Sequence, residues 1–214
     1  MSHPVRRPFP EGEGFFETLR TEKGQVAELT RHMRRALTAS KATGIKIPGE
    51  EEVRTAIAKV IEENPHEIGR LRICFNRAGI VITHDEYVDL TEGGYLTFSA
   101  ITSKAIGEQF KIYPYDSHYE VVDEARAHGF DDAMIFNREN NVTETGLSNL
   151  AFLFGETWFT PPITAGILPG TMRSLAIEKC GVLVRNIHIT EVPQANEIYL
   201  LSSLKIAQPV VQVG

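Results

Sequence analysis

Gly12-Glu13-Gly14-Phe15-Phe16-Glu17-Thr18-Leu19-Arg20 opens the informative part of a 214-residue chain, and the way it continues decides the fold class. Phe15 to Arg20 reads as a strand, and Lys23-Gly24-Gln25 reads as the turn that ends it. Leu29, Met33, Ala36, Leu37 and Ser40 then recur at helical spacing, so a helix is predicted from Thr30 to about Thr43, stopped at Gly44. A strand followed by a turn and a separate helix is an α+β beginning. The two glycines are therefore not the start of a dinucleotide loop, which needs a third glycine and a helix directly behind it.

Working outward, Pro48-Gly49-Glu50 opens a second predicted helix, with Val53, Ile57, Val60 and Ile61 on one side and Asn64-Pro65 closing it. Leu71, Ile73 and Phe75 alternate with polar residues, Arg77-Ala78-Gly79 turns the chain, and Ile80-Val81-Ile82 returns it as a hairpin. Tyr95 to Ile101 is a further strand. Beyond Gly107 the character changes. Tyr119 to His128 reads as a helix stopped by Gly129, and strands follow at Ala133–Phe136, Leu150–Phe154 and Trp158–Phe159. Pro169-Gly170 precedes a helix over Thr171–Lys179, and Val182–Arg185 and Glu197–Leu201 read as the last strands. The expected boundary lies between Ser103 and Glu108, dividing a small N-terminal α+β lobe (1–105) from a strand-rich C-terminal lobe (106–214).

Composition narrows the function. A formal net charge of -6, without a Lys/Arg stripe, gives no nucleic-acid footprint. Arg31, Arg34 and Arg35 are the one short basic cluster, and a solvated helix face accounts for two of them. No segment approaches the roughly 20 apolar residues of a membrane span, and the first ten residues do not read as a signal peptide. Cys74 and Cys180, far apart in apolar surroundings, read as two buried thiols of a reducing compartment, so a cytoplasmic location is expected. The histidines (His3, His32, His66, His84, His118, His128, His188) show no i, i+4 pair, so no metal site is expected. No Gly-x-Ser-x-Gly elbow is present either.

Four segments in order resemble the class IV aminotransferase family, the pyridoxal-phosphate (PLP) enzymes of fold type IV. They are Gly12–Arg20 with His32-x-x-Arg35 and Ser40; Lys111 with Glu124-Ala125-Arg126-Ala127-His128-Gly129-Phe130-Asp131-Asp132-Ala133; Val142-Thr143-Glu144-Thr145-Gly146-Leu147-Ser148-Asn149-Leu150; and Thr160-Pro161-Pro162 through Gly166-Ile167-Leu168-Pro169-Gly170-Thr171-Met172-Arg173 to Ser202-Ser203 and Pro209-Val210. Each piece is common; their order and spacing are specific. The resemblance implies a two-lobed fold like that of D-amino-acid aminotransferase, PLP as cofactor, a small-molecule amino substrate and a homodimer.

It also implies roles. Lys111, spaced from Glu144 as in the family, resembles the lysine that holds PLP as a Schiff base, which needs an amine with an accessible neutral form. Otherwise Lys111 is a solvated strand-edge lysine. Glu144 resembles the partner of the ring nitrogen, since a fixed carboxylate keeps that nitrogen protonated. The amides of Leu168, Thr171 and Met172, at a helix start, resemble phosphate donors, although Pro-Gly before a helix is common without any ligand. Arg35 resembles a charged phosphate contact, and Ser203 a hydroxyl on the same phosphate. Tyr115 resembles the residue at the cofactor's phenolic oxygen, or it simply packs.

Two departures bear on the substrate. Only Met1 to Glu11 stands where relatives carry a strand and turn, and the Arg77-Ala78-Gly79 hairpin is short where several carry an arginine-bearing loop. Arg72 lies on a plausible strand, but nothing in the sequence selects it as a carboxylate anchor. The compact chain and Phe130-Asp131-Asp132-Ala133-Met134 look more like the 4-amino-4-deoxychorismate lyase branch. The alternatives are a branched-chain or D-amino-acid transaminase, and a PLP-binding protein without turnover.

Overall fold

The computed structural model describes residues 8–89, 93–102 and 110–214. The chain divides into two compact units, Met1–Asp89 with Phe110–Pro114, and Leu90–Gln109 with Tyr115–Gly214. The expected boundary between Ser103 and Glu108 lies outside the described residues.

In the first unit, β1 (Gly14–Glu22) turns through Lys23-Gly24 into the short β2 (Gln25–Val26), and α1 (Leu29–Thr43) follows. α1 stops where expected because Gly44 adopts φ 70° and returns its N–H to the Ser40 carbonyl, a conformation that favours glycine. Next come α2 (Glu50–Glu63), β3 (Ile68–Asn76) and β4 (Gly79–Glu86). After β5 (Gly94–Thr102), which belongs to the second unit, the chain returns as β6 (Ile112–Tyr113) to pair with β1. That pairing is why residues 110–114 group with the first unit. The antiparallel order is β2-β1-β3-β4, with β6 on β1. Side chains alternate across it: Phe15, Leu19, Leu71, Ile73 and Phe75 pack on Met33 and Ala36 of α1 and on Val53 and Ile57 of α2. The opposite face carries Phe16, Arg72 and Cys74.

The second unit starts its helix earlier than predicted. α3 spans Asp116–Ala127, and Tyr119 N–H already bonds the Tyr115 carbonyl. Asp116-Ser117-His118 is polar, so apolar periodicity missed that turn, while an acid in a first turn suits the helix dipole. There follow β7 (Asp132–Phe136), β8 (Val142–Thr145), β9 (Asn149–Phe154), β10 (Thr157–Thr160), α4 (Thr171–Cys180), β11 (Leu183–Val184), β12 (Glu197–Ser202) and β13 (Ile206–Val213). The eight strands run β11-β10-β9-β12-β13-β5-β7-β8. β12 is thus not the last strand, as predicted; β13 lies between β12 and β5, antiparallel to the first and parallel to the second. Leu96, Met134, Leu150, Phe152, Ile198 and Leu200 form its core. Cys74 is buried, but Cys180, the last residue of α4, is exposed, which corrects the expectation of two buried thiols. No helix among the described residues is long and apolar enough to cross a membrane.

Candidate active site

Within the second unit the site is built around Glu144. All four residues of β8 are buried, and Glu144 is 8% exposed. A carboxylate taken from water needs donors, and Glu144 Oε2 accepts Asn149 Nδ2 at 3.1 Å and the Leu168 N–H at 3.2 Å. Asn149 Nδ2 also donates to the Leu168 carbonyl at 3.1 Å. Its Oδ1 lies 1.9 Å from where a Cβ on Gly170 would stand. Gly170 has an ordinary φ of -70°, so glycine is required here for room rather than for backbone freedom.

Gly170 is the N-cap of α4. The first intrahelical bond runs from Ser174 N–H to the Gly170 carbonyl, so the amides of Thr171, Met172 and Arg173 precede the ladder. Glycine offers no capping side chain, and no acid occupies the first turn, so this helix start suits an anion. Arg173, 4% exposed, reaches back to donate twice to the Pro161 carbonyl and fixes the preceding loop. Burial lowers its pKa from the usual arginine value. Leu168 lies ahead of this helix start, and its amide donates to Glu144 Oε2.

In the first unit, Arg35 donates Nε to Glu17 Oε1 at 2.8 Å and Nη2 to Oε2 at 2.5 Å. Buried His32 adds Nδ1 to Oε2 at 2.6 Å. Burial alone would raise the Glu17 pKa; the charge and hydrogen bonds of Arg35, with those of His32, overcome it and hold the group at about 2. Arg31 instead pairs with Glu28 at the surface, as expected of the cluster. Lys111 accepts the Phe16 N–H on its carbonyl at 2.8 Å, and its Nζ stands 5.3 Å from the Phe16 ring centroid. Phe16 and Glu17 are neighbours on β1 and face opposite ways. Lys111 and Arg35 therefore meet the same stretch of β1 from its two faces.

The Phe16 ring also lies 5.7 Å from the Arg72 guanidinium, which is 5.1 Å from the Phe9 ring. Arg72, Phe9, Cys74, Val81 and Thr83 line a cavity of about 250 Å³. Burial and the loss of water raise the Cys74 pKa to about 11, so this thiol is a neutral part of the wall.

Tyr115 is the N-cap residue of α3, with its ring stacked on His118 at 4.0 Å and edge-on to Tyr119 at 5.7 Å. Ser203 lies, partly buried, in the turn between β12 and β13. The sequence reading missed Asn149, Gly170, Glu17 and His32 as site residues. All four stood inside the segments quoted for the resemblance; the His32-x-x-Arg35 spacing on one helix face was the available signal for His32.

A PLP group requires a carboxylate for its pyridine nitrogen, N–H donors and a cation for its phosphate, and a lysine. The residue types present fit this list, each unit taken by itself: the second carries a buried, oriented carboxylate and an uncapped helix start, and the first an arginine bonded to Glu17 and a lysine beside the Phe16 ring.

Residues 14–213 match the amino-transferase class IV family. Among individual relatives, the chain is 26% identical to an aminodeoxychorismate lyase of Vibrio harveyi, over 95% of this chain and 84% of that protein. Its fold is similar to that of branched-chain aminotransferases from Thermoproteus uzoniensis (TM-score 0.85, 22% identity, 95% of this chain and 78% of that one) and Escherichia coli (TM-score 0.82, 23% identity, 95% and 77%).

Proposed function

The chain belongs to the class IV aminotransferase family, whose members are enzymes, and from that premise we propose that it binds pyridoxal 5′-phosphate and converts 4-amino-4-deoxychorismate to pyruvate and 4-aminobenzoate. The observation that carries the cofactor reading is the Glu144 carboxylate, buried and oriented by Asn149 and by the Leu168 amide in the loop ahead of α4. The Phe130-to-Met134 segment and the likeness to the Vibrio harveyi lyase favour the lyase branch.

When bound, the cofactor supplies an electron sink for bond breaking at the substrate's amine-bearing carbon. Lys111 would hold the group, and its Nζ would take the substrate proton. Glu144 would keep a proton on the ring nitrogen. The Thr171 and Met172 amides, Arg35 and the Ser203 hydroxyl would hold the phosphate, and Tyr115 would serve the phenolic oxygen. Arg72, on the wall of the cavity beside Phe16, orients a substrate carboxylate, for which a guanidinium is well matched. Two copies form the working enzyme; a stable, active monomer in sedimentation would contradict that.

The same residues serve an amino-acid transaminase, which is the second reading. Incubation with aminodeoxychorismate separates the two. A lyase gives pyruvate and 4-aminobenzoate in equal amounts and needs no keto-acid acceptor. A transaminase releases no 4-aminobenzoate; glutamate, alanine or a branched-chain amino acid bleaches the yellow protein once, and a keto acid restores the colour.

A further inference from the structure

We propose that Asp132 is the positioning residue for the Glu144 carboxylate, acting through the turn that joins Glu144 to Asn149. This rests on the reading of Glu144 as partner of the cofactor's ring nitrogen.

Asp132 opens β7 and is 1% exposed. Its carboxylate takes four donors. Oδ1 accepts the Ala133 and Gly146 N–H groups, each at 2.9 Å, and Oδ2 accepts the Thr145 hydroxyl at 2.8 Å and the Leu147 N–H at 3.2 Å. Three of the four come from residues 145–147, directly behind Glu144. The turn closes on itself as well: Thr145 N–H bonds the Ser148 carbonyl at 2.8 Å, and Ser148 N–H bonds Thr145 Oγ1 at 3.0 Å. Its two ends are Glu144 and Asn149, whose side chains bond each other. Whatever fixes this turn fixes the distance between those two side chains.

The turn is also pressed onto its anchor. A Cβ on Gly146 would stand 2.6 Å from Val122 Cγ2 and 2.9 Å from both Asp132 Oδ1 and the His118 carbonyl oxygen. No side chain larger than hydrogen fits between the turn, Asp132 and α3.

Only a carboxylate meets this demand. It offers about four acceptor sites and no donor, whereas an amide would turn one –NH₂ toward groups that also donate. Burying an ion is costly. Burial indeed pushes the Asp132 pKa up, while the nearby Lys205 charge and the turn's own hydrogen bonds oppose that shift. A costly ion is thus held under the one turn that carries Glu144.

The test uses the holoenzyme loaded with PLP labelled with ¹⁵N at the ring, because the shift of that nitrogen reports protonation directly. Wild type, Glu144→Gln, Asp132→Asn and Thr145→Val are compared, with folding checked by circular dichroism. Thr145→Val keeps the side chain's shape and removes the hydroxyl's bond to Asp132, together with the bond it accepts from the Ser148 N–H, without burying a new charge, so it carries the comparison if Asp132→Asn fails to fold. We expect the protonated-nitrogen signal of wild type to be lost in Glu144→Gln and to move in the same direction in Asp132→Asn and Thr145→Val while PLP stays bound. If Glu144→Gln loses the signal and the folded turn variants keep the wild-type shift, Asp132 is a structural anchor only and the proposal is overturned. If Glu144→Gln itself keeps the wild-type shift, the reading of Glu144 fails, and this inference fails with it.

Discussion

Glu17 and Arg35 are joined by two parallel hydrogen bonds, Nε to Oε1 at 2.8 Å and Nη2 to Oε2 at 2.5 Å, across a strand and the helix packed on it. The pair is oriented from a third side by His32, whose Nδ1 carries the proton because an ionised carboxylate only accepts. A long, flexible arginine is thereby held in one geometry.

Arg35→Ala should weaken PLP affinity by roughly tenfold to a hundredfold, the worth of a lost charged hydrogen bond of about 1.5–3 kcal/mol. Arg35→Lys should recover little, because a single ammonium cannot reproduce the planar two-donor contact with Glu17. Titration of apoenzyme with PLP measures both. Unchanged affinity in Arg35→Ala would return the residue to a structural role on α1.

Acid should unfold the protein partly through Glu17. Its folded pKa, about 2, lies below the ordinary 4.5, so its contribution is complete above about 4.5 and is lost as pH falls toward about 2. Thermal melts across that window should show a steeper loss of Tm for wild type than for Glu17→Gln. Parallel pH dependence in the two proteins would remove Glu17 from the account.

Borohydride treatment of the yellow protein followed by peptide mapping should place the reduced pyridoxyl group on Lys111, and Lys111→Ala should abolish turnover. Modification at Lys104 or Lys205 instead would overturn the assignment.

Glu144→Ala should leave PLP bound through its phosphate and slow removal of the substrate proton by several orders of magnitude, because the ring nitrogen loses the partner that keeps it charged. Exchange of the substrate proton with deuterated solvent reads this step. A near-normal rate would mean that another group serves the nitrogen.

Gly170→Ala should lower both Tm and PLP affinity, since its Cβ would collide with Asn149 Oδ1 and drive the amide off Glu144. The added methyl should cost much less stability in an Asn149→Ala background, where the collision partner is gone. Additive losses in the double variant would show that the collision is not the cause.

Much of the fold was legible along the chain because its signals are local. Leu29, Met33 and Ala36 repeat at helical spacing, and Gly44 stops α1 through its own backbone angles. The hairpin of β3 and β4 is set by alternation around a short turn. α3 began earlier than read because its first turn is polar and shows no apolar period. β13 was invisible for a different reason. Ala207-Gln208-Pro209 has no clear strand pattern, and a proline argues against a strand with neighbours on both sides. The ladder to β5 begins only at Val210, beyond the proline, while Pro209 stands opposite Tyr199 of β12.

The sequence by itself determined which residue types were present, their order and the family pattern they form: Lys111, Glu144, Arg35 and the Gly170-Thr171-Met172 helix start. Only the tertiary structure decided what each is bonded to. It tied the Leu168 amide to Glu144 across 24 residues, closed Arg35 on Glu17 across 18, and set Arg72 beside Phe16 on one sheet face. Local spacing governs backbone conformation because neighbouring dihedrals and hydrogen bonds are short-range. The partner of a buried polar group is whichever donor packing brings within about 3 Å, and no spacing rule along the chain contains that distance.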